Sequence, residues 1–118
     1  MKKLYNEACQ ICGTPLVLYG SLERGIAYSE ACHIIPHSKD YLDDFPNMLV
    51  LCPNHHTLFD LGIITIDPSD DEQKRVLHID KNHPLHNSHL ALAKHKLATE
   101  SVQYHHDLVF MPVYNMIN

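Results

Sequence analysis

At 118 residues the chain fits one domain of ordinary size, with no run approaching the ~18 apolar residues of a membrane span and no apolar stretch behind Lys2 and Lys3 to act as an export signal. A soluble, cytoplasmic protein is expected, and without export the four cysteines read as metal ligands rather than as two disulfides. The formal charge of −5 argues against a broadly basic nucleic-acid binder, yet the acids are grouped at Asp40, Asp43 and Asp44 and at Asp67, Asp70, Asp71 and Glu72, leaving Lys2, Lys3, Arg24, Lys39, Lys94 and Lys96 to form a basic face.

In chain order, CQICG (9–13) predicts a tight metal-knuckle turn, its glycine permitting a backbone that other residues resist. A short strand follows at Leu16 to Tyr19. The apolar run from Ile26 to Ile35 reads as a strand ended by Pro36, with His33 near its end. After the acidic loop HSKDYLDDFP, the compact run NMLVLC predicts a buried strand paired with the one carrying His33. Pro53 and Gly62 then bracket a short helix, NHHTLFDL, on which His56 and Asp60 share a face. IITID and RVLHID predict a hairpin around DPSDDEQK. From Ser88 the spacing of Leu90, Ala93, Leu97, Ser101, Tyr104 and Leu108 predicts one long helix or two broken ones, capped by Asn87 or Ser88. The apolar tail VFMPVYNMIN either covers the core or meets a second copy. Residues 1–118 are expected as a single domain, with the extension beginning at about residue 68.

Eleven histidines are an excess that only position and spacing can sort. His78, His83, His86, His89, His95, His105 and His106 read as solvated polar side chains. Cys9-x-x-Cys12 and Cys52-x-x-His55 are different, because two ligands separated by two residues can share one turn while pointing at one zinc ion. Together they make a closed structural site. A competing assignment replaces His55 with Cys32 to give four cysteines, but Cys32 lacks a knuckle partner. With His55 so engaged, His56 points elsewhere and joins Asp60 as an imidazole–carboxylate pair suited to a divalent ion held against a phosphate.

These residues resemble the HNH endonuclease family, whose ββα-metal motif (also called the His-Me finger) carries a histidine in its first strand, an asparagine before the second and a histidine on the helix. Here those look like His33, followed by HIIP, Asn47, and His56 within CPNHH. The ending HTLFDLGIITID looks like the branch that includes methyl-directed restriction nucleases of the McrA kind, and the likeness spans residues 9 to about 67. It implies an α+β fold: a small ββα-metal core with a structural zinc knuckle, to which the sequence adds a hairpin and a C-terminal helix. It also implies a metal-dependent endonuclease in which His33 is the general base, Asn47 fixes the loop and orients His33, and His56 binds the catalytic metal. Asp60 stands where relatives often place a further histidine. The products would be a 5′-phosphate and a 3′-hydroxyl.

Cys32 departs from the pattern, occupying a position where many relatives carry an aspartate or histidine ligand. A thiolate suits hard Mg2+ poorly, so the ion is held by His56, Asp60, water and phosphate alone, or Mn2+, Ni2+ or Zn2+ serves in place of Mg2+. The plainer alternative makes Cys32 a buried strand residue. His37 reads as a loop histidine. The expected partner is DNA, with a homodimer or a separate targeting subunit supplying recognition. RNA cleavage, or a zinc-stabilised binding module that no longer cuts, are the competing functions.

Overall fold

Between its two cysteines the CQIC turn carries Gln10, and that side chain explains how the amino terminus is tied to the centre of the fold. Its Oε1 accepts the Val50 N–H at 2.8 Å and its Nε2 donates to the Leu92 carbonyl at 3.2 Å. Gly13 closes the turn, donating to the Cys9 carbonyl at 2.7 Å with φ +74°. The computed structural model describes residues 2–20, 25–36 and 45–118. His37, Arg24, Lys39 and the acidic loop with Asp40, Asp43 and Asp44 lie outside the described residues.

Strand β1 (Leu16–Tyr19) pairs antiparallel with β2 (Ile26–Tyr28), and β3 (Glu30–His33) pairs antiparallel with β4 (Met48–Leu51). The run expected as one strand from Ile26 to Ile35 is therefore two. It breaks at Ser29, whose hydroxyl donates to the Glu7 carboxylate at 2.7 Å, and the halves pair with different partners. In the second sheet Cys32 lies opposite Leu49 and His33 opposite Met48, the pairing expected of the NMLVLC strand. All four residues of β4 are buried, as an unbroken apolar run requires.

Helix α1 (Pro53–Asp60) begins directly after β4, with Pro53 in its first turn where a missing N–H costs nothing. Its exit is tightly specified. Gly62 has φ +78°, and a Cβ there would lie 2.3 Å from the Val109 carbonyl oxygen, so the loop after α1 touches the C-terminal helix through bare backbone. Strands β5 (Ile64–Ile66) and β6 (Val76–His78) form the expected hairpin. Its acidic turn is a backbone cap: Asp70 accepts N–H groups from Lys74 and Arg75, both at 2.9 Å, and Asp67 accepts from Ser69.

The predicted helix from Ser88 starts instead at Thr99. α2 (Thr99–His105) continues through a π-helical segment (His106–Phe110) into α3 (Met111–Ile117). Residues 88–98 form no helix because their donors are used across the chain: Leu90 N–H reaches the Lys74 carbonyl at 2.7 Å, Leu92 the Gln10 carbonyl at 3.1 Å and Ala98 the Pro46 carbonyl at 2.8 Å. Leu90 and Leu97 are buried while Ala93, on the same supposed helical face, is exposed. The widened π turn falls just before Pro112, whose ring would meet the carbonyl four residues back in a regular helix. Phe110 packs into the core, whereas Met116 and Ile117 remain exposed at the end of α3.

The architecture is the expected α+β arrangement, a ββα unit of β3, β4 and α1 with an added hairpin and a C-terminal helix. No helix among the described residues is long and apolar enough to cross a membrane.

Candidate metal centres and active site

Neighbouring residues on a helix project about 100° apart, so His55 and His56 of α1 serve different clusters. His55 faces the amino-terminal turn. Its Nδ1 lies 3.5 Å from Cys9 Sγ and 3.3 Å from Cys52 Sγ, near the ~3.6 Å between sulfur and nitrogen on a tetrahedral zinc of ordinary bond lengths. With Cys12 the ligand atoms all lie within 4.8 Å of one another. Burial first, then the thiols of Cys9 and Cys12, push the Cys52 thiol up to about 11, a group that needs a cation nearby to ionise. Cys32 is not in this cluster, so the four-cysteine alternative has no geometric support.

His56 turns the other way. Its Nδ1–H donates to Glu30 Oε1 at 2.9 Å, which leaves Nε2 facing Asp60 Oδ2 at 3.1 Å. In a neutral ring that Nε2 carries a lone pair against a carboxylate, a contact that a proton or a cation between them must relieve. Cys32 Sγ lies 3.8 Å from Asp60 Oδ1, and the ligand atoms of Cys32, His56 and Asp60 fall within 4.8 Å of one another. Cys32 is thus a buried strand residue, 1% exposed, and also part of this second cluster. Burial first, then the Asp60 and Glu30 carboxylates, push its thiol well above the usual range.

His33 lines the same cleft, a concavity of about 420 Å³ that also includes His56, Asp60, Ile34 and Pro36. Asn47 does not reach it. It is buried, 3% exposed, and clamps the turn after His33 through both ends of its amide: Oδ1 accepts the Ile35 N–H at 2.9 Å and Nδ2 donates to the Ile35 carbonyl at 3.0 Å. A short antiparallel pair, an asparagine-clamped turn and a helix delivering a histidine opposite thus converge on one cleft.

The family profile described as HNH endonuclease matches residues 9–67, half of the sequence. The chain belongs to the HNH endonuclease family. Among solved structures, it is similar to a modification-dependent TagI restriction endonuclease, with a TM-score of 0.67 and 29% identity over 88% of this chain. It spans only 34% of that protein's length. No curated protein matches the sequence.

Beside the expected residues, the HNH site uses a support behind His56 and a wall from the C-terminal helix. The support is Glu30, which two-residue periodicity places on the same strand face as Cys32 and whose role the sequence does not mark. The Tyr28 hydroxyl first, donating at 2.7 Å, and His56 second hold the Glu30 carboxyl below the ordinary carboxylate range. His105 and Val109, from the C-terminal helix, form a wall of the cleft.

The reading of the late histidines as solvated fails for several of them. His105 is buried, stacks on Phe59 with ring centroids 3.6 Å apart, donates from Nε2 to the Phe59 carbonyl at 2.7 Å and accepts at Nδ1 from the Thr65 hydroxyl at 2.6 Å. His95 is half-buried, with Nε2–H donating to the Met48 carbonyl at 2.8 Å and Nδ1 bonded to the Tyr5 hydroxyl. His78 is also buried, its Nδ1 accepting the Asp80 N–H at 2.9 Å much as an aspartate caps a turn.

Burial pushes the His105 imidazole down to about 4, from 6.5 for a free side chain. The unfolded chain thus takes up a proton that the folded chain refuses. The stability this group contributes is complete above pH ~6.5 and declines as pH falls toward ~4, by about 3 kcal/mol in all. Urea midpoints should drop across that window, and His105→Gln should flatten the decline. An identical pH profile in the variant would show that other groups control it.

Proposed function

We propose that this HNH domain hydrolyses DNA phosphodiester bonds, using one divalent ion bound by His56 and Asp60, with His33 as general base. The observation that carries the reading is the shared cleft, in which an ion-ready imidazole–carboxylate pair and an independent histidine face the same space. His33 takes a proton from the attacking water as its oxygen bonds to phosphorus. The bond from phosphorus to the 3′ oxygen breaks, and that oxygen takes a proton from solvent, giving a 5′-phosphate and a 3′-hydroxyl. Asn47 acts at one remove by holding the turn that carries His33, and Glu30 fixes the ring of His56. A bound Mg2+, Mn2+ or Ni2+ would neutralise the scissile phosphate and the leaving oxygen.

Cys9, Cys12, Cys52 and His55 hold a structural Zn2+ in this reading, with residues 1–118 forming one domain. Exposed Lys2, Lys3, Lys94 and Lys96 offer phosphate contacts, and the Lys94 N–H bonded to the Tyr5 hydroxyl at 2.8 Å joins the two basic segments. Recognition beyond that comes, in this reading, from a second copy or a separate targeting subunit.

Incubation with supercoiled plasmid and with single-stranded RNA, beside His56→Ala, tests the proposal. Metal-dependent nicking or linearisation of the plasmid, abolished in the variant, is expected. Cleavage of RNA alone would redirect the substrate, and binding of plasmid with no cleavage under any divalent ion would leave a binding module.

A further inference from the structure

We propose that Cys32 is the third protein ligand of the catalytic ion, and that this site accordingly selects a thiophilic, tetrahedrally inclined metal over Mg2+. The inference rests on the cleft being the metal site of the nuclease reading. Three observations carry it. First, the donors match such an ion in number: one sulfur, one nitrogen and one carboxylate oxygen lie within mutual reach, leaving a fourth position on the open side of the cleft. Three protein ligands with one free position is the usual pattern of a catalytic zinc-type site.

Second, the sulfur spacing fits. Sulfur and oxygen on a tetrahedral ion with ordinary zinc bond lengths stand ~3.6 Å apart, and nitrogen and oxygen ~3.4 Å. Here Cys32 Sγ lies 3.8 Å from Asp60 Oδ1, close to the tetrahedral value, while His56 Nε2 lies 3.1 Å from the other oxygen, Oδ2, between the tetrahedral and octahedral values. Adjacent oxygens on octahedral Mg2+ lie only ~2.9 Å apart, and Mg2+ does not take thiolate willingly. Third, His56 is already oriented as a metal ligand, its Nδ1–H held by Glu30 so that Nε2 presents a lone pair to the cluster.

The site would therefore take Zn2+, Co2+ or Cd2+ with sulfur in the coordination sphere. The Cys32 S–H proton leaves to solvent as the metal binds. Nothing is oxidised or reduced.

The test uses full-length protein whose amino-terminal knuckle has been filled with Zn2+, titrated with Co2+. A near-ultraviolet sulfur-to-cobalt charge-transfer band should grow with the added equivalent and should be absent in Cys32→Ser, which keeps every knuckle ligand. Cys32→Ser should weaken Co2+ binding by at least about tenfold, the lower bound for losing even an outer partner of a metal ligand. Cys32→Asp should lose the band and gain competition by Mg2+, which wild type resists. Should the variants fail to fold, 113Cd resonance of the wild type decides alone, because a cadmium with one sulfur ligand resonates between the knuckle's cadmium and one bound only by nitrogen and oxygen.

Co2+ bound without a sulfur band, a cadmium signal in the nitrogen–oxygen range, or equal competition by Mg2+ in wild type would overturn the proposal. Plasmid cleavage that persists in that case leaves the nuclease reading intact. A sulfur band without any cleavage would instead leave the metal site standing and remove the nuclease function.

Discussion

His33→Ala should slow plasmid cleavage by at least ~100-fold, the low end of what a positioned general base contributes, while leaving fold and metal content unchanged. The expectation of an intact fold follows from where His33 sits. It ends β3 in register with Met48, its ring only partly buried, and the turn after it is held by Asn47 through the backbone of Ile35 rather than through the imidazole. Truncation therefore removes a proton acceptor from the cleft without releasing the backbone. The metal cluster should also survive, since its donors belong to Cys32, His56 and Asp60. Single-turnover rates on a plasmid, with circular dichroism as the control, make the comparison. Equal rates would mean that another group activates water.

Cys9→Ser should lose the tightly held zinc, about one per chain by elemental analysis, and lower the thermal midpoint by more than ~10 °C. Cys9 is fully buried, and its neighbour Gln10 is bonded to both Val50 and Leu92, so the knuckle lies at the crossing of the amino terminus, the central strand and the irregular segment before α2. A structural zinc contributes an apparent ~10–16 kcal/mol in small metal-folded peptides, comparable with the whole ~5–15 kcal/mol stability of a domain. Since ~1 kcal/mol moves the midpoint of a domain near this size by several degrees, loss of the ion should unfold much of the chain. A variant that keeps both zinc and midpoint would place the structural metal elsewhere.

Local chemistry made much of this molecule readable in its sequence. The knuckle spacing, the Pro53 and Gly62 punctuation of α1 and the apolar run of β4 each depend on neighbours within a few residues, and each appears in the fold. The misreadings involve partners far along the chain. Leu90 and Leu97 share a helical spacing by coincidence, because the donors of that segment are taken by Lys74, Gln10 and Pro46. His105 looks like any polar histidine until Thr65 and Phe59 are beside it. Glu30 gains a role only when α1 brings His56 against it, twenty-six residues away in sequence.

Helix α1 carries members of both candidate metal clusters on eight residues, His55 facing one and His56 with Asp60 the other, with Cys52 as its cap. If both clusters take up ions as proposed, the first would fix the start of the helix that carries His56 and Asp60, and so would firm the support of the second. A chain short of zinc would then hold its second ion less well, which couples any nuclease activity to completion of the fold.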